Sequence, residues 1–529
     1  QGFRDILEFG IEQRYDIYDL FLKFPEPLVP RRRRIEVAER IAHDGRIITP
    51  LDEAAIRAEG ARLVAEGCTA IAVCFLHAYA NPVHEQAAGR ILREAFPGIA
   101  ISLSSEVAPE IREYDRTVTT CANAFVQPLM DRYIGRLSSE LARLGFTGAL
   151  RLMQSDGGLC APEVARAYPI RLLESGPAGG ALATVLFTRE AGLPDALAFD
   201  MGGTTAKACL IENGRAEIAP MMEAARVHRF KRGSGLPIKA PVVDMIEIGA
   251  GGGSIAGLDE TGLLKVGPHS AGAEPGPACY GLGGTEATVT DANLLLGYYD
   301  PGFFLGGTMA LDKAAAEAAL ARLGAKLGLS AIEAAAGIHA IVCETMAGAA
   351  RVHLVEKGRD PRRHAMVAFG GAGPAHAARV ARILGLSEML VPPASGAASA
   401  LGFLAAPLAF EVSRSVVTLL GEATDWAGLD STLAALEADA RARLREAGIA
   451  DAAMTVERSA EMRMLGQLHQ ILVPLPAGAL SAARLPEITE GFAATYRSLY
   501  TRAVEGEGIE ALSLRVRVAG PEPEIKLSG

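Results

Sequence analysis

The segment AFDMGGTTAK (198–207) combines residue types that could bind a phosphate and its metal ion. The acid Asp200 ends a strand-like apolar run, and two glycines follow one residue later. Glycine lets the backbone take positive φ angles and approach a ligand closely. Two threonines then add hydroxyl and N–H donors, so the turn can bind phosphate while Asp200 holds a hydrated metal ion. The alternative is a tight turn in which Asp200 only caps local N–H groups. The expected phosphate contacts are Gly202, Gly203, Thr204 and Thr205.

A second glycine-rich turn lies in MIEIGAGGGSIAG (245–257), where another strand-like run ends. Glycine turns after strands also bind dinucleotides, but the G-x-G-x-x-G spacing fails because Ser254 and Ala256 stand where the third glycine is needed. A Walker A sequence is absent both here and at 202–207. A packed β-bulge or hairpin is the alternative. The residues that we expect to contact phosphate are Gly251, Gly252, Gly253 and Ser254.

A third turn, in AFGGAGPAHAARVARIL (368–384), separates a strand-like segment from a helix. Helix N-termini attract phosphate and other electronegative groups, and glycines let a flat ring lie against the backbone. We therefore expect Gly370, Gly371 and Ala372 to contact the nucleotide. Ligands of open α/β sheets collect outside the carboxyl ends of strands. Three such turns together predict one ATP site, in which Asp200 is the Mg²⁺ ligand.

Four further polar residues are candidates for the chemistry. Glu247 lies in the strand before the second turn, and because its burial would be costly without a partner, we expect it to face the cleft. Asp291, in TVTDAN, can act in catalysis or cap the segment that follows it. His269 and Glu274 lie in a loop rich in glycine and proline, which suits a lid or a substrate contact.

Alternating helix and strand patterns must position these residues. Residues 50–98 read as helix, buried strand and helix, which indicates α/β layers. A long apolar helix is predicted to start at Ser330, with Glu333 at the capping-box spacing, and to stop at Gly358. After residue 410 the glycines become rarer, and strand-like pieces alternate with helices, which predicts an α+β domain.

Composition excludes several classes of protein. The 529 residues are 50% hydrophobic and 22% charged, which is typical of a chain with several globular domains. A net charge of −10 argues against nucleic acid as the main partner. Seven scattered cysteines without a C-x-x-C pair indicate reduced thiols in a cytoplasmic enzyme, and Cys279 has no evident base to activate it. No apolar run is long enough to span a membrane, and no compact metal-ligand motif argues for zinc.

These motifs resemble the hydantoinase A/oxoprolinase family, whose ATPase fold is shared with sugar kinases, actin and heat-shock ATPases. The resemblance covers essentially all 529 residues. The matching segments are SSEVAPEIREYDRTVTTCANAFVQPLM, MQSDGGL, ESGPAGG, FDMGGTTAK, IEIGAGGGSIAG, VGPHSAGAEPGPACYGLGG, TVTDANLLLGY, AFGGAGPAHAARVARILG, PPASGAASALGFL and GQLHQILVPLP.

The resemblance implies an α/β, actin-like or sugar-kinase-like ATPase fold with two ribonuclease-H-like domains and a C-terminal α+β domain. The usual first DxGGT turn is absent, and the N-terminal QGFRDILEFG lacks an initiator Met, so we expect a first domain truncated at its N-terminus. The expected domains are the remainder of the N-terminal hydantoinase/oxoprolinase domain at 1–190, the central hydantoinase A domain at 191–408 and the C-terminal domain at 409–529.

The same resemblance implies ATP-dependent hydrolysis of a cyclic amide, such as a hydantoin or 5-oxoproline, with Mg²⁺ or another divalent metal. The phosphorylated amide carbonyl would be the reactive species. The alternatives are an ATP-dependent carboxylase subunit that acts on a ketone and bicarbonate, or a non-catalytic nucleotide-binding regulatory subunit. A B-type subunit is the expected partner. Many family members carry an acid where this chain has Lys207, which could touch a phosphate or mark a subgroup with another substrate.

Overall fold

The computed structural model describes residues 2–11, 14–228, 231–500 and 508–525. These residues mix helices and strands along the chain, which confirms the predicted α/β class. The α-helices are α1 Ile6–Phe9, α2 Glu53–Ala65, α3 Val83–Ala95, α4 Ser104–Val107, α5 Glu113–Arg143, α6 Pro162–Ala167, α7 Ser175–Ala191, α8 Val289–Leu295, α9 Lys313–Leu327, α10 Ala331–Glu356, α11 Gly373–Leu384, α12 Ala398–Ala405, α13 Trp426–Glu446 and α14 Leu485–Tyr500. The strands are β1 Arg40–Ile41, β2 Ile47–Thr49, β3 Ala70–Val73, β4 Ala100–Leu103, β5 Leu152–Met153, β6 Leu159–Cys160, β7 Ala196–Met201, β8 Ala206–Glu212, β9 Arg215–Ala216, β10 Ile218–Ala219, β11 Met222–Ala224, β12 Leu236–Ile238, β13 Val242–Val243, β14 Met245–Ile248, β15 Ser254–Leu258, β16 Leu264–Ser270, β17 Ala365–Phe369, β18 Met389–Leu390, β19 Ala409–Leu419, β20 Thr455–Met464, β21 Ile471–Pro474 and β22 Ile509–Ala519.

Contacts divide the chain into two compact units. The first unit contains Gln1–Ser175, Ala219–Val242 and Pro407–Pro523. The second unit contains Gly176–Ile218, Val243–Ala406 and Glu524–Gly529. The three domains expected at 1–190, 191–408 and 409–529 remain a prediction.

The second unit is built on one mixed sheet, with the strand order β14-β8-β7-β17-β18 and β9 beside β8. Strand β7 lies at its centre, antiparallel to β8 and parallel to β17. Strands β17 and β18 are also parallel, whereas β8 and β14 are antiparallel. This mixture agrees with the ribonuclease-H-like domain expected from the sequence. Because β7 and β17 run in the same direction, their carboxyl ends meet at one edge of the sheet.

Helix α10 fills the core of the second unit. Ser330 and Glu333 form the capping box that the sequence predicts, and the helix ends two residues before Gly358. The apolar side chains that the helix buries include Ile338, Val342 and Met346. They share a hydrophobic cluster with the buried residues of β7 and β17, so the helix fixes the strands that end in glycine turns.

The first unit contains the α+β structure predicted after residue 410. Strands β19, β22, β20 and β21 form an antiparallel sheet in that order. Helix α13 buries Leu429, Leu433 and Leu436 in a cluster with residues of this sheet. Closer to the N-terminus, β3 and β4 pair in parallel, and residues of α2 and α3 join their hydrophobic cluster.

Among the described residues, no single helix is both long and apolar enough to cross a membrane. The bent pair α9 and α10 meets the criteria of length and composition together.

Candidate active site

The first and second glycine turns of the second unit are joined by backbone hydrogen bonds. The first turn connects β7 to β8, and the second connects β14 to β15. Gly252 N–H donates to the carbonyl of Gly202 at 3.0 Å, and Gly253 N–H donates to that of Gly203 at 2.7 Å. The structure therefore brings together two turns that lie about 50 residues apart in the sequence.

The third turn, between β17 and α11, lies against the first. Ala372 N–H donates to the carbonyl of Met201 at 2.9 Å. Gly370 has a φ of +83°, and a Cβ there would collide with the Asp200 carboxylate and the Met201 carbonyl. Glycine is required at this position for both reasons. All three predicted turns thus meet at the edge of the sheet where β7 and β17 end.

The first turn presents unused N–H donors at an open surface. Gly203 and Thr204 are exposed and Thr205 is half-buried. Within the described ranges, none of these three N–H groups donates a hydrogen bond. Gly371 of the third turn is also exposed, and its N–H is likewise unused in the described part of the chain. Adjacent unpaired N–H groups in a turn form an anion-binding concavity.

The second turn is buried beneath the first and differs from the sequence interpretation. Gly251, Gly252, Gly253 and Ser254 are all buried. Gly251 N–H donates to Ser254 Oγ at 2.9 Å, and Ser254 N–H donates to the Gly251 carbonyl at 3.0 Å. The N–H groups of Gly252 and Gly253 support the first turn, as described above. These four residues are therefore better placed to shape the first turn than to touch a phosphate themselves.

Asp200 is a half-buried carboxylate at the end of β7. Its one donor within the described residues is Ser399 Oγ, at the long distance of 3.5 Å from Oδ2. Burial raises the pKa of Asp200 above its ordinary value, while the nearby charge of Lys207 acts in the opposite direction. A carboxylate with so little compensation inside the protein is suited to a metal ion.

Asp200, Lys207 and Glu247 form a row across three neighbouring strands. Lys207 pairs directly with Asp200 on one side and with Glu247 on the other. Directly paired residues share one face of a sheet. Lys207 Nζ lies 3.9 Å from Glu247 Oε1, and the Glu247 side chain is 52% exposed. Glu247 is therefore exposed to solvent, and its orientation toward the ligand cleft stays a prediction.

Asp291 is a helix cap in this structure. Its carboxylate accepts hydrogen bonds from Thr288 N–H at 3.0 Å, Thr288 Oγ1 at 2.7 Å and Cys279 N–H at 2.8 Å. Together with Thr288 it forms the capping box of α8, and it is fully buried. The capping interpretation describes these contacts, and the catalytic role given to Asp291 has no support in its surroundings.

His269 and Glu274 are both exposed, the first at the end of β16 and the second in the loop after it. The start of this loop is hydrogen-bonded to the second turn, because Ala271 N–H donates to the Gly253 carbonyl at 2.8 Å. Both side chains are accessible from solvent, and their contact with substrate stays a prediction. Cys279 is buried, and burial raises its pKa well above the ordinary value, which favours the structural role predicted for this thiol.

Sequence reasoning missed Ser399, the donor to Asp200. It lies in α12, 199 residues further along the chain, within the run ASGAASALG. Neither serine of this run has a spacing that would link it to a distant acid. The contact becomes visible only in the fold.

Comparisons with known proteins identify the family to which this chain is similar. The model of the Hydantoinase/oxoprolinase family matches residues 116–412, and that of the Hydantoinase/oxoprolinase N-terminal region matches residues 1–96. The alpha subunit of caprolactamase from Pseudomonas jessenii is 34% identical over 534 residues, which cover 99% of this chain and 75% of that subunit. 5-Oxoprolinase 1 from Arabidopsis thaliana is 32% identical over 514 residues, covering 89% of this chain and 39% of that protein.

Two solved structures resemble the whole chain. The crystal structure of ATP-dependent caprolactamase from Pseudomonas jessenii superposes with a TM-score of 0.83 at 34% identity, covering 100% of this chain and 77% of the other. A nucleotide-free structure of acetone carboxylase superposes with a TM-score of 0.76 at 26% identity, with the same coverage of 100% and 77%.

Proposed function

The chain belongs to the hydantoinase/oxoprolinase family, and we propose that it uses ATP and a divalent metal ion to open a cyclic amide. The observation that carries the proposal is the pairing of Asp200 with an exposed turn whose N–H groups are unused in the described residues. This arrangement occurs in a chain 34% identical to the alpha subunit of a caprolactamase. Caprolactam is itself a cyclic amide.

The residues present fit ATP and a metal ion. The N–H groups of Gly203, Thr204 and Thr205 would hold phosphate oxygens, and Gly371 offers a further donor beside them. Asp200 would hold the metal ion, for which Mg²⁺ is our expectation because hard cations prefer oxygen ligands. A Cβ added at Gly203 would meet no atom within 4 Å, so this surface has room for a ligand.

The proposed reaction uses ATP to overcome the stability of an amide. Resonance makes the ring carbonyl a poor electrophile, whereas transfer of the γ-phosphoryl group to its oxygen creates a phosphate leaving group. Water then adds to the carbon, and the ring nitrogen takes a proton and leaves, which gives an acyl phosphate. A second water molecule attacks the carbonyl carbon of this acyl phosphate and displaces phosphate. The net products are the ring-opened amino acid, ADP and phosphate. A bound metal ion supplies charge stabilisation for the phosphoryl group.

The chain's own residues supply position and charge. The turn N–H groups orient the phosphates and stabilise the negative charge that shifts during transfer. Lys207 lies between Asp200 and Glu247. Its positive charge offsets the repulsion between these two carboxylates and an anionic phosphate. Glu247 is exposed in the same row and is our candidate for handling a proton. His269 and Glu274 are proposed to contact the substrate.

A second candidate function is an ATP-dependent carboxylase subunit. The structural likeness to acetone carboxylase favours it, because the same nucleotide site would then serve a ketone and bicarbonate.

We also propose a B-type partner subunit, since the caprolactamase relative is itself named as an alpha subunit. A cytoplasmic location is expected because all seven cysteines are free thiols.

The test compares two aspartates at opposite ends of β7. Asp195 precedes the strand, and its side chain accepts a hydrogen bond from Asn213 N–H at 2.9 Å, so Asp195→Asn is the matched control. In the intact protein with its partner, Asp200→Asn is expected to lower ring-amide-dependent ADP release at least a hundredfold, because about 3 kcal/mol of electrostatic stabilisation is lost. Asp195→Asn should retain near wild-type release. Normal turnover in Asp200→Asn would remove Asp200 from the site.

A further inference from the structure

A second group of possible metal ligands lies in the core of the second unit, apart from Asp200. His339 and Cys343 are one turn apart on α10, and His376 lies on α11. Cys343 Sγ is 3.3 Å from His376 Nδ1 and 3.8 Å from His339 Nδ1. All three side chains are buried, and their ligand atoms lie within 4.8 Å of one another. This cluster could not be predicted from the sequence, because His376 is 33 residues beyond Cys343.

We propose that His339, Cys343 and His376 bind one soft transition-metal ion, with Zn²⁺ as the expected occupant. Thiolate and imidazole are the ligands that Zn²⁺ prefers, whereas Mg²⁺ prefers oxygen. The site is therefore distinct from the one at Asp200 in chemistry as well as in position. It does not depend on the proposed amide chemistry.

The spacing of the ligand atoms suits such an ion. Zn–S bonds of about 2.3 Å and Zn–N bonds of about 2.0–2.1 Å place S and N about 3.5 Å apart in a tetrahedral site. The two observed Sγ–Nδ1 distances, 3.3 and 3.8 Å, lie on either side of that value. Three protein ligands leave one position for a water molecule.

The outer nitrogens of both histidines have partners that can orient the rings. His339 Nε2 lies 3.3 Å from the carbonyl of Ala375, and His376 Nε2 lies 2.9 Å from the Asn293 side-chain amide. Asn293 Oδ1 is buried and has no hydrogen-bond partner within the described residues. With its amide turned over, Asn293 Oδ1 accepts a hydrogen bond from His376 Nε2–H, which leaves Nδ1 unprotonated toward Cys343. Such partners are typical of metal-bound histidines.

Loading the site requires a small rearrangement of the rings. The rings of His339 and His376 are stacked with centroids 4.6 Å apart, and Tyr298 stacks on the other face of His339 at 4.9 Å. Each imidazole must turn about its Cβ–Cγ bond to aim Nδ1 at a shared ion. Tyr298 is 53% exposed, so the path from solvent to the cluster passes beside its ring.

A metal ion here would stabilise the packing of the helices that contact the glycine turns. Asn293 lies on α8, where Thr290 N–H and Thr290 Oγ1 donate to the Gly252 carbonyl at 2.7 and 2.8 Å. His376 lies in the first turns of α11, directly after the third glycine turn. The cluster and its partner Asn293 therefore link α11, which follows the third turn, to α8, which is hydrogen-bonded to the second turn.

Co²⁺ titration of the intact protein tests the site, because a thiolate ligand gives Co²⁺ a near-ultraviolet charge-transfer band. We expect about one ion per chain with this band, and loss of the band in Cys343→Ala and His376→Asn. Cys209→Ala is the control: this buried thiol on β8 donates to the Leu210 carbonyl, and the variant should keep the band. Asp200→Asn should also keep it, which separates this site from the active site. A band that survives Cys343→Ala would overturn the proposal.

X-ray absorption of the Zn²⁺-loaded wild-type protein provides a test that needs no variant to fold. The expected shell contains one sulfur at about 2.3 Å and two imidazole nitrogens at about 2.0–2.1 Å. A shell of oxygen and nitrogen without sulfur, or failure of the wild-type protein to retain Zn²⁺ or Co²⁺ after gel filtration, would contradict the assignment.

Discussion

Asp200 and Asp291 occur in similar sequence contexts, but the fold gives their carboxylates different numbers of hydrogen-bond donors. Each follows an apolar or hydroxyl-rich run near a glycine turn. Asp291 accepts hydrogen bonds from Thr288 and Cys279 and is fully buried, whereas Asp200 has only the distant Ser399 hydroxyl in the described chain. A satisfied carboxylate stabilises the fold, and a poorly satisfied one can bind a ligand.

The capping role of Asp291 predicts a loss of stability. Asp291→Ala would leave the buried N–H groups of Thr288 and Cys279 unpaired, at about 1–3 kcal/mol each. Chemical denaturation should therefore show that the free energy of unfolding falls by at least about 2 kcal/mol. Asp200→Ala is the control and should unfold close to wild type. An Asp291→Ala protein that is fully stable yet inactive would restore the catalytic role.

The charge of Lys207 predicts a shift in pH dependence. Metal binding needs the Asp200 carboxylate ionised, and burial raises its pKa, so activity should be lost on acidification at a higher pH than for an ordinary aspartate. Lys207 lowers that pKa; Lys207→Met should therefore move the acidic limb of kcat/KM to still higher pH. Lys265→Met, at an exposed position on β16, should leave the limb in place. An unchanged or lower limb in Lys207→Met would refute this coupling.

At the scale of elements, local rules predict the turns, but not which face of each turn is open. The capping box of α10 and the glycine turns after β7, β14 and β17 are visible in the sequence because each depends on neighbouring residues. The burial of the second turn depends on hydrogen bonds to Gly202 and Gly203, about 50 residues away. Neither that burial nor the His339–Cys343–His376 cluster has a local signature.

Gly251 in the buried second turn and Gly203 in the exposed first turn should respond differently to an added methyl group, the former in stability and the latter in ATP binding. A Cβ at Gly251 would lie 2.5 Å from the backbone carbon of Thr204, whereas a Cβ at Gly203 would meet nothing within 4 Å. Gly251→Ala should lower the free energy of unfolding by about 1–3 kcal/mol through overpacking. Gly203→Ala should unfold like wild type but bind ATP several-fold more weakly in calorimetry. The reverse pattern would show that the second turn, and not the first, faces the nucleotide.

At the scale of the whole molecule, the first unit is held together by a buried ionic network. Arg515 contacts Glu110 at 2.8 Å, Glu411 at 3.0 Å and Glu461 at 2.6 Å, and Lys239 contacts Glu110 at 2.9 Å. Burial alone would raise the pKa of Glu110, but Arg515 and Lys239 outweigh it and hold the pKa at about 2. The network joins all three chain segments of the unit, and such distant pairing could not be predicted from the sequence.

Removing the central arginine is expected to destabilise this unit strongly. Arg515→Leu leaves three buried carboxylates without their shared partner, at a cost of about 3–5 kcal/mol. Arg517→Leu is the matched control on the same strand, because Arg517 lies 3.8 Å from a Glu457 side chain that is 57% exposed. That change should cost about 1 kcal/mol or less. Equal denaturation midpoints for the two variants would mean that the network adds nothing to stability.

The measurement that tests the central claim most directly is ADP release by the intact protein with the proposed B-type partner. The substrates would be hydantoins, 5-oxoproline and other lactams, and ketones with and without bicarbonate. We predict release stimulated by a ring amide without bicarbonate, with one ADP formed per ring opened and none stimulated in Asp200→Asn. Stimulation that requires a ketone and bicarbonate would contradict the hydrolase assignment and make the protein a carboxylase subunit. Tight ATP binding without stimulation by any substrate would contradict both catalytic functions.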